Sequence, residues 1–274
     1  MTRIRKAFET LAQTEDGALI GYLMAGDPSW EQSARYAEAL VAGGVDVLEL
    51  GVPFSDPIAD GPTIQAADVR ALEADTTPET IFELVQRLRA SDNGSSVPIV
   101  LMTYYTPIFA MGEEGFARQA QHVGVDGVIV PDLPVEEADS WLQAARAARL
   151  DAIFLATPET DEQRMAHIAA ETSGFLYLVG RYGVTGARAQ LDTHIAKLIE
   201  QTREHVPAEL PIAVGFGLSE PEHVRDVIQA GAQGAIVGSA IVSRIANGDA
   251  PEAVQRFVQD LKAATRSSHE APAY

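Results

Sequence analysis

Two carboxylates stand where a chain of this pattern could use them for proton transfer. Glu49 lies in the apolar run Val45-Asp46-Val47-Leu48-Glu49-Leu50-Gly51 and shares its parity with Val45 and Val47. If the run is a strand, a period of two puts Glu49 on the same face as those valines, near the strand's C-terminal end. A carboxylate on an interior face costs several kcal/mol unless it is solvated or paired. Asp60 follows in Pro53-Phe54-Ser55-Asp56-Pro57-Ile58-Ala59-Asp60-Gly61-Pro62-Thr63, a loop stiffened by Pro53, Pro57 and Pro62. Asp60 can face back toward Glu49, and two carboxylates in unlike surroundings can divide acid and base roles. Residue types alone leave plainer readings open. Glu49 could be a strand-end residue that reaches solvent, and Asp60 a turn residue, since Asp-Gly is common in turns. Asp56, before Pro57, reads as a turn or interface residue. A third feature is a set of glycine-rich pairs: Gly183-Val184-Thr185-Gly186, Gly215-Phe216-Gly217 and Gly238-Ser239. Backbone N–H groups and a helix N-terminus can bind phosphate there without a basic side chain. The alternative is that the glycines serve tight turns.

These residues need a scaffold, and the chain supplies one. Apolar runs at 19–24, 45–50, 99–102, 127–130, 152–155, 175–179, 212–214 and 235–237 read as strands. They are continuous rather than alternating, as expected for parallel strands covered on both faces. Amphipathic helices lie between them. In 31–41, Ala34, Ala37, Leu40 and Val41 share a face; in 135–148, Ala138, Trp141, Leu142 and Ala145 do. Ser219 and Glu222 have the spacing of a capping box for the helix before Gly231. The pattern predicts a single-domain α/β fold, a (β/α)8 TIM barrel over 1–264 with an extra N-terminal helix. Residues 265–274 are polar and expected to be a disordered tail. Every glycine pair then falls on the C-terminal rim, the catalytic face of such barrels. The stretch 181–190 has Gly183 and Gly186 as hinges and few large apolar residues, and is expected to act as a mobile lid.

Composition removes several function classes. There are no cysteines, so disulfides, thiolate nucleophiles and cysteine-bound zinc are excluded. The six histidines are scattered without metal-ligand spacing, and no metal site is expected. No Ser-His-Asp arrangement is suggested, and no GxGxxG follows the first strand. Asp and Glu number 39 against 20 Lys and Arg, for a net charge of −19. Such a surface repels nucleic acid, and an anionic substrate needs a local positive site. The acidity fits either a salty cytoplasm or an ordinary acidic protein from an arginine-preferring genome. Lysine occurs only at 6, 197 and 262, none on a predicted strand, which disfavours a Schiff-base aldolase. No apolar run reaches about 18 residues and no signal-like stretch opens the chain, so no membrane association and a cytoplasmic location are expected.

The segment from Leu48 through Gln65, Leu-Glu-Leu-Gly-Val-Pro-Phe-Ser-Asp-Pro-Ile-Ala-Asp-Gly-Pro-Thr-Ile-Gln, closely resembles the signature of the tryptophan synthase α chain family. The likeness continues in Gly26-Asp27-Pro28, Val130-Pro131-Asp132-Leu133-Pro134, the three glycine-rich pairs and Ala240, in order from about residue 8 to 247. It implies a carbon–carbon lyase of tryptophan biosynthesis. The reaction would be retro-aldol cleavage of indole-3-glycerol phosphate to indole and glyceraldehyde 3-phosphate. By the resemblance Glu49 is the general acid/base and Asp60 accepts the indole N–H. Tyr22, Leu101 and Tyr177 would line the substrate pocket, and the Thr185 hydroxyl would hold Asp60. Gly186, Gly215, Gly217, Gly238 and Ser239 would hold the phosphate. No cofactor is implied in this chain; pyridoxal phosphate would belong to a β subunit, the partner in an α-β-β-α tetramer that receives the indole. Gly180, Thr106 and Tyr22 depart from the family's usual Ser, Asn and Phe. The first two touch the lid and the partner side, the third the pocket. The competing readings are another phosphate-binding barrel (an isomerase or aldolase), a stand-alone indole-releasing lyase, and a weakly catalytic subunit that activates a partner.

Overall fold

The structure is a computed structural model that describes residues 2–91, 94–180, 188–215 and 217–266, with 188–194 described as backbone. Nine strands form one parallel sheet: β1 (Ala18–Met24), β2 (Val47–Gly51), β3 (Ile99–Met102), β4 (Gly127–Ile129), β5 (Asp151–Ile153), β6 (Leu155–Ala156), β7 (Leu176–Val179), β8 (Ile212–Gly215) and β9 (Gly234–Val237). Their order is β5-β4-β3-β2-β1-β9-β8-β7-β6. The first and last of these are joined through Phe154, so the sheet curls into a nearly closed barrel. The run 152–155, expected as one strand, is handed from one neighbour to the other. Ile153 pairs with Ile129 of β4, while Leu155 pairs with Tyr177 of β7. The eight-unit TIM barrel is therefore present, with its fifth strand divided.

Strand faces follow from residue type. Ile20, Val47, Val100, Ile129, Ile153, Phe175, Ala213 and Ile236 form the barrel's inner cluster. Their neighbours, such as Leu19, Leu48, Leu101, Val128 and Val214, join the larger core between strands and helices. Branched side chains on both faces suit a sheet that meets water on neither. The expected N-terminal helix is Arg3–Ala12, capped by Thr2, whose hydroxyl accepts from the Arg5 N–H at 3.3 Å. Its Ile4 and Phe8 are buried in the inner cluster and plug the end of the barrel opposite the catalytic rim.

Several boundaries differ from the sequence reading for identifiable reasons. β2 begins at Val47 rather than 45, because the Val45 N–H donates to Leu40 O in the helix cap and the Asp46 N–H to Leu19 O. That helix, Trp30–Gly43, ends at Gly44 with φ 96°, a left-handed conformation that favours glycine. The expected capping box at Ser219 is not formed. Pro221 takes the first turn of Pro221–Gln229, Glu220 is the N-cap, and the Ser219 N–H donates to His223 Nδ1 at 3.2 Å. Thr265, assigned to the tail, is fully buried, and its carbonyl accepts from the Gly17 N–H at 2.8 Å. Residues 267–274 and 181–187 of the expected lid 181–190, with Thr185 and Gly186, lie outside the described residues, and 188–190 open the helix Arg188–Arg203. Among the described residues no helix is long and apolar enough to cross a membrane.

Candidate active site

The strand C-termini open on a cavity of about 760 Å³. Glu49, Asp60, Tyr22 and Tyr177 all line it, with Gly217, Gly238 and Ser239 at its edge. Register explains Glu49 and Tyr22. Tyr22 on β1 is the direct partner of Glu49 on β2, and both lie on the inward parity. Gly51, two residues past Glu49, makes room for the tyrosine; a Cβ there would fall 2.1 Å from Tyr22 Oη. Gly215 does the same for Tyr177, where a Cβ would meet Oη at 2.6 Å. Gly215 is thus placed beside the Tyr177 ring rather than on the cavity wall.

Glu49 is 1% exposed, and its Oε2 has no hydrogen-bond partner. Burial, with a smaller contribution from the negative charge of Asp60, pushes its carboxyl from 4.5 up to about 8. At neutral pH it holds a proton. Asp60 is also pushed up by burial, but the hydroxyl of Tyr104 pulls it back. Tyr104 Oη donates to Asp60 Oδ2 at 2.8 Å and accepts from the Ala59 N–H at 2.9 Å. One carboxyl lacks a donor and the other has one, so their surroundings drive them apart, the pattern of an acid beside a charge stabiliser. The loop is pinned further by Gln65 Nε2, which donates to Asp60 O at 2.9 Å. Tyr22 is buried and Tyr177 half-buried on the cavity wall, and desolvation together with the nearby carboxylates holds both phenols above the usual value of 10.

Gly238, also on the cavity wall, is the N-cap of the helix Ser239–Ala246, and no side chain caps it. Gly217 has φ 89°. Among the described lining residues none is Lys, Arg or His. Backbone N–H groups and the helix dipole beside Gly238 can meet an anion there. The walls include the apolar side chains of Met102, Ile129, Leu155 and Ile236. They suit a flat aromatic ring.

Leu101 requires a correction. It pairs with Leu50 and Val128 and packs in the outer core, while Met102, one residue on, faces the cavity. A shift of one residue reverses the face. Tyr104 was missed by the sequence reading, although it follows β3 on the catalytic rim. Thr157 and Glu159, after β6, also line the cavity and were not foreseen. Among the described residues no group of three or more His, Cys, Asp or Glu could hold a metal ion.

Comparison with known proteins agrees with this geometry. The tryptophan synthase alpha chain family profile matches residues 8–271. The chain is 48% identical over 269 residues to the tryptophan synthase alpha chain of Methanoregula boonei, covering 96% of this chain and 98% of that one. It is 43% identical to that of Prochlorococcus marinus, covering 96% and 97%. Among solved structures, tryptophan synthase subunit alpha from Legionella pneumophila superposes with a TM-score of 0.88 at 34% identity, over 97% of this chain and 98% of that one. Tryptophan synthase from M. tuberculosis in its aminoacrylate-bound form gives 0.86 at 30%, over 97% and 100%. With the likeness running through the whole barrel and its rim, the chain belongs to the tryptophan synthase alpha chain family.

Proposed function

We propose that the chain cleaves indole-3-glycerol phosphate to indole and glyceraldehyde 3-phosphate. The observation that carries the reading is the pair Glu49 and Asp60, one carboxyl buried and protonated, the other held by a donor, on the wall of one cavity. Glu49 gives its proton to indole C3. The ring nitrogen becomes positive, and Asp60 stabilises that charge through the N–H. The bond from C3 to the side-chain carbon then breaks, and its electron pair restores the aromatic ring. The hydroxyl on that carbon becomes the aldehyde and returns its proton to Glu49. Atoms and charge balance without an oxidant or cofactor.

The phosphate would sit at Gly217, Gly238 and Ser239, with Gly186 as a further expected contact and Thr185 as an expected holder of Asp60. Tyr22, Tyr177 and Met102 would bound the indole. The partner in this reading is a tryptophan synthase β subunit, in an α-β-β-α assembly that takes up the indole; pyridoxal phosphate chemistry belongs to that subunit. Two exposed apolar side chains support a partner on this rim. Ile58, in the Asp60 loop, is 76% exposed, and Phe109, in the helix Tyr105–Met111 after β3, is 71% exposed.

The test is product analysis. Purified chain is incubated with indole-3-glycerol phosphate, alone and with a β subunit. Indole and glyceraldehyde 3-phosphate should appear in equal amounts, faster with the β subunit. Absence of indole in both incubations contradicts the reading. Indole released equally fast in both leaves the lyase standing and removes the coupled partner.

A further inference from the structure

Behind the Asp60 loop lies a carboxylate that the proposed chemistry does not use. Asp68, on the helix Pro62–Glu73, is 1% exposed and does not line the cavity. Its Oδ1 accepts the Phe54 N–H at 3.0 Å, while Oδ2 is buried with no hydrogen-bond partner. A buried carboxylate with half its valence unused is a costly way to fill a helix–loop contact. Its contacts lead toward the reacting groups. Phe54 stacks on Tyr104, with ring centroids 5.0 Å apart and planes at 23°. Tyr104 in turn donates to Asp60 and takes the Ala59 N–H. The helix bearing Asp68 is fixed two residues on, in its last turn, by Arg70, whose fork donates to both oxygens of Asp27 at 2.7 Å. The anchor of this relay is thus itself held by a bidentate pair.

We infer that Asp68 is a positioning residue for the Asp60 carboxylate, seating Phe54 so that the Phe54 ring backs Tyr104 and Tyr104 holds Asp60 toward the cavity. The inference rests on the lyase reading above. Asp68 touches no substrate and acts only through this chain of contacts. What the helix–loop contact requires of it is an acceptor for the Phe54 N–H. Burial, opposed by that N–H and reinforced by the charge of Asp60, raises the Asp68 carboxyl from 3.8 to about 7. Either protonation state keeps an oxygen available to Phe54.

The experiment compares Asp68→Asn, Asp68→Ala and Phe54→Leu, all assayed for indole release and for inhibition by inorganic phosphate. Asn keeps the acceptor; Ala removes it; Leu keeps the Phe54 N–H but removes the stacked ring. The expected result is a kcat loss of about 10–100-fold for Asp68→Ala and Phe54→Leu, the size of a catalytic group displaced by a fraction of an ångström to one. Asp68→Asn should stay within about threefold of wild type, and phosphate inhibition within about twofold in all three. The double variant Asp68→Ala/Phe54→Leu should be no slower than the worse single one, because both break the same relay. If Asp68→Ala does not fold, Asp68→Asn and Phe54→Leu still decide. Unchanged kcat in Phe54→Leu, or an Asp68→Asn as slow as Asp68→Ala, overturns the inference while leaving the lyase intact. A wild-type chain that releases no indole overturns the reading of function and this inference together.

Discussion

At the scale of single residues, the separation of Glu49 from Asp60 is set by what each oxygen touches. Glu49 has an orphan oxygen and a carboxyl raised to about 8; Asp60 has the Tyr104 hydroxyl. A carboxyl raised in the folded state makes the fold bind a proton that the unfolded chain releases. Its contribution is complete below the unfolded value of 4.5 and is lost as pH rises through about 8. Glu49→Gln removes that titration. The variant should therefore gain stability relative to wild type between pH 5 and pH 8, read as a growing difference in urea midpoint. A difference that stays constant across that range contradicts the raised carboxyl. The same proton is the one delivered to indole C3, so wild-type kcat/KM should fall above about pH 8. Asp60→Asn should lower kcat by about 10²–10³, since an amide barely stabilises positive charge on the ring; kcat near wild type would make Asp60 a turn residue only. Strand parity marked Glu49 as an inward carboxylate, whereas Asp60 read equally as a turn residue, and the roles of both came from the family resemblance. Tyr104 was not legible, because it reaches Asp60 across 44 positions from the next loop, and periodicity carries no information about that distance.

At the scale of elements, strand parity decides which side chains meet the substrate. The parity that places Glu49 inward also places Val100 and Met102 inward on β3, and it turns Leu101 to the helices. The resemblance implied a pocket residue at Leu101, and strand parity gives that place to Met102. The strand glycines have a similar geometric role. Gly51→Ala would set a Cβ 2.1 Å from Tyr22 Oη and 2.7 Å from its Cζ, both part of a buried ring. It should destabilise the fold by about 1–3 kcal/mol and shift the pocket wall; thermal unfolding at the wild-type Tm contradicts the packing described. Gly238 is different. A Cβ there would meet Tyr22 only at 3.4 Å, an ordinary contact. Gly238→Val should therefore fold and instead crowd the approach of phosphate to the helix N-terminus, raising KM about tenfold and weakening inhibition by inorganic phosphate. Unchanged inhibition moves the phosphate elsewhere. The failed capping box at Ser219 shows the limit of local signals. The Ser–Glu spacing was present, but Pro221 pre-sets the first helical turn and shifts the cap by one residue.

At the scale of the whole molecule, the barrel was legible because eight continuous apolar runs and their spacing admit few other topologies. Its closure was not. The fifth strand divides at Phe154 so that its halves can serve β4 and β7, a demand of curvature that no local pattern encodes. The plug of Ile4 and Phe8 belongs to the same scale, since it fills the end of the barrel away from the rim and leaves the other end open for chemistry. The central claim joins these scales: a nearly closed barrel holds one buried, protonated glutamate on the wall of the rim cavity, and that glutamate moves the protons of the cleavage. The most direct measurement is single-turnover indole release by wild type and Glu49→Gln, both as the isolated chain and with a β subunit, together with inorganic phosphate binding to each. The account predicts a loss of at least about 10²–10⁴ in the variant in both settings, with phosphate affinity unchanged. Indole release by Glu49→Gln at the wild-type rate, in either setting, would contradict it.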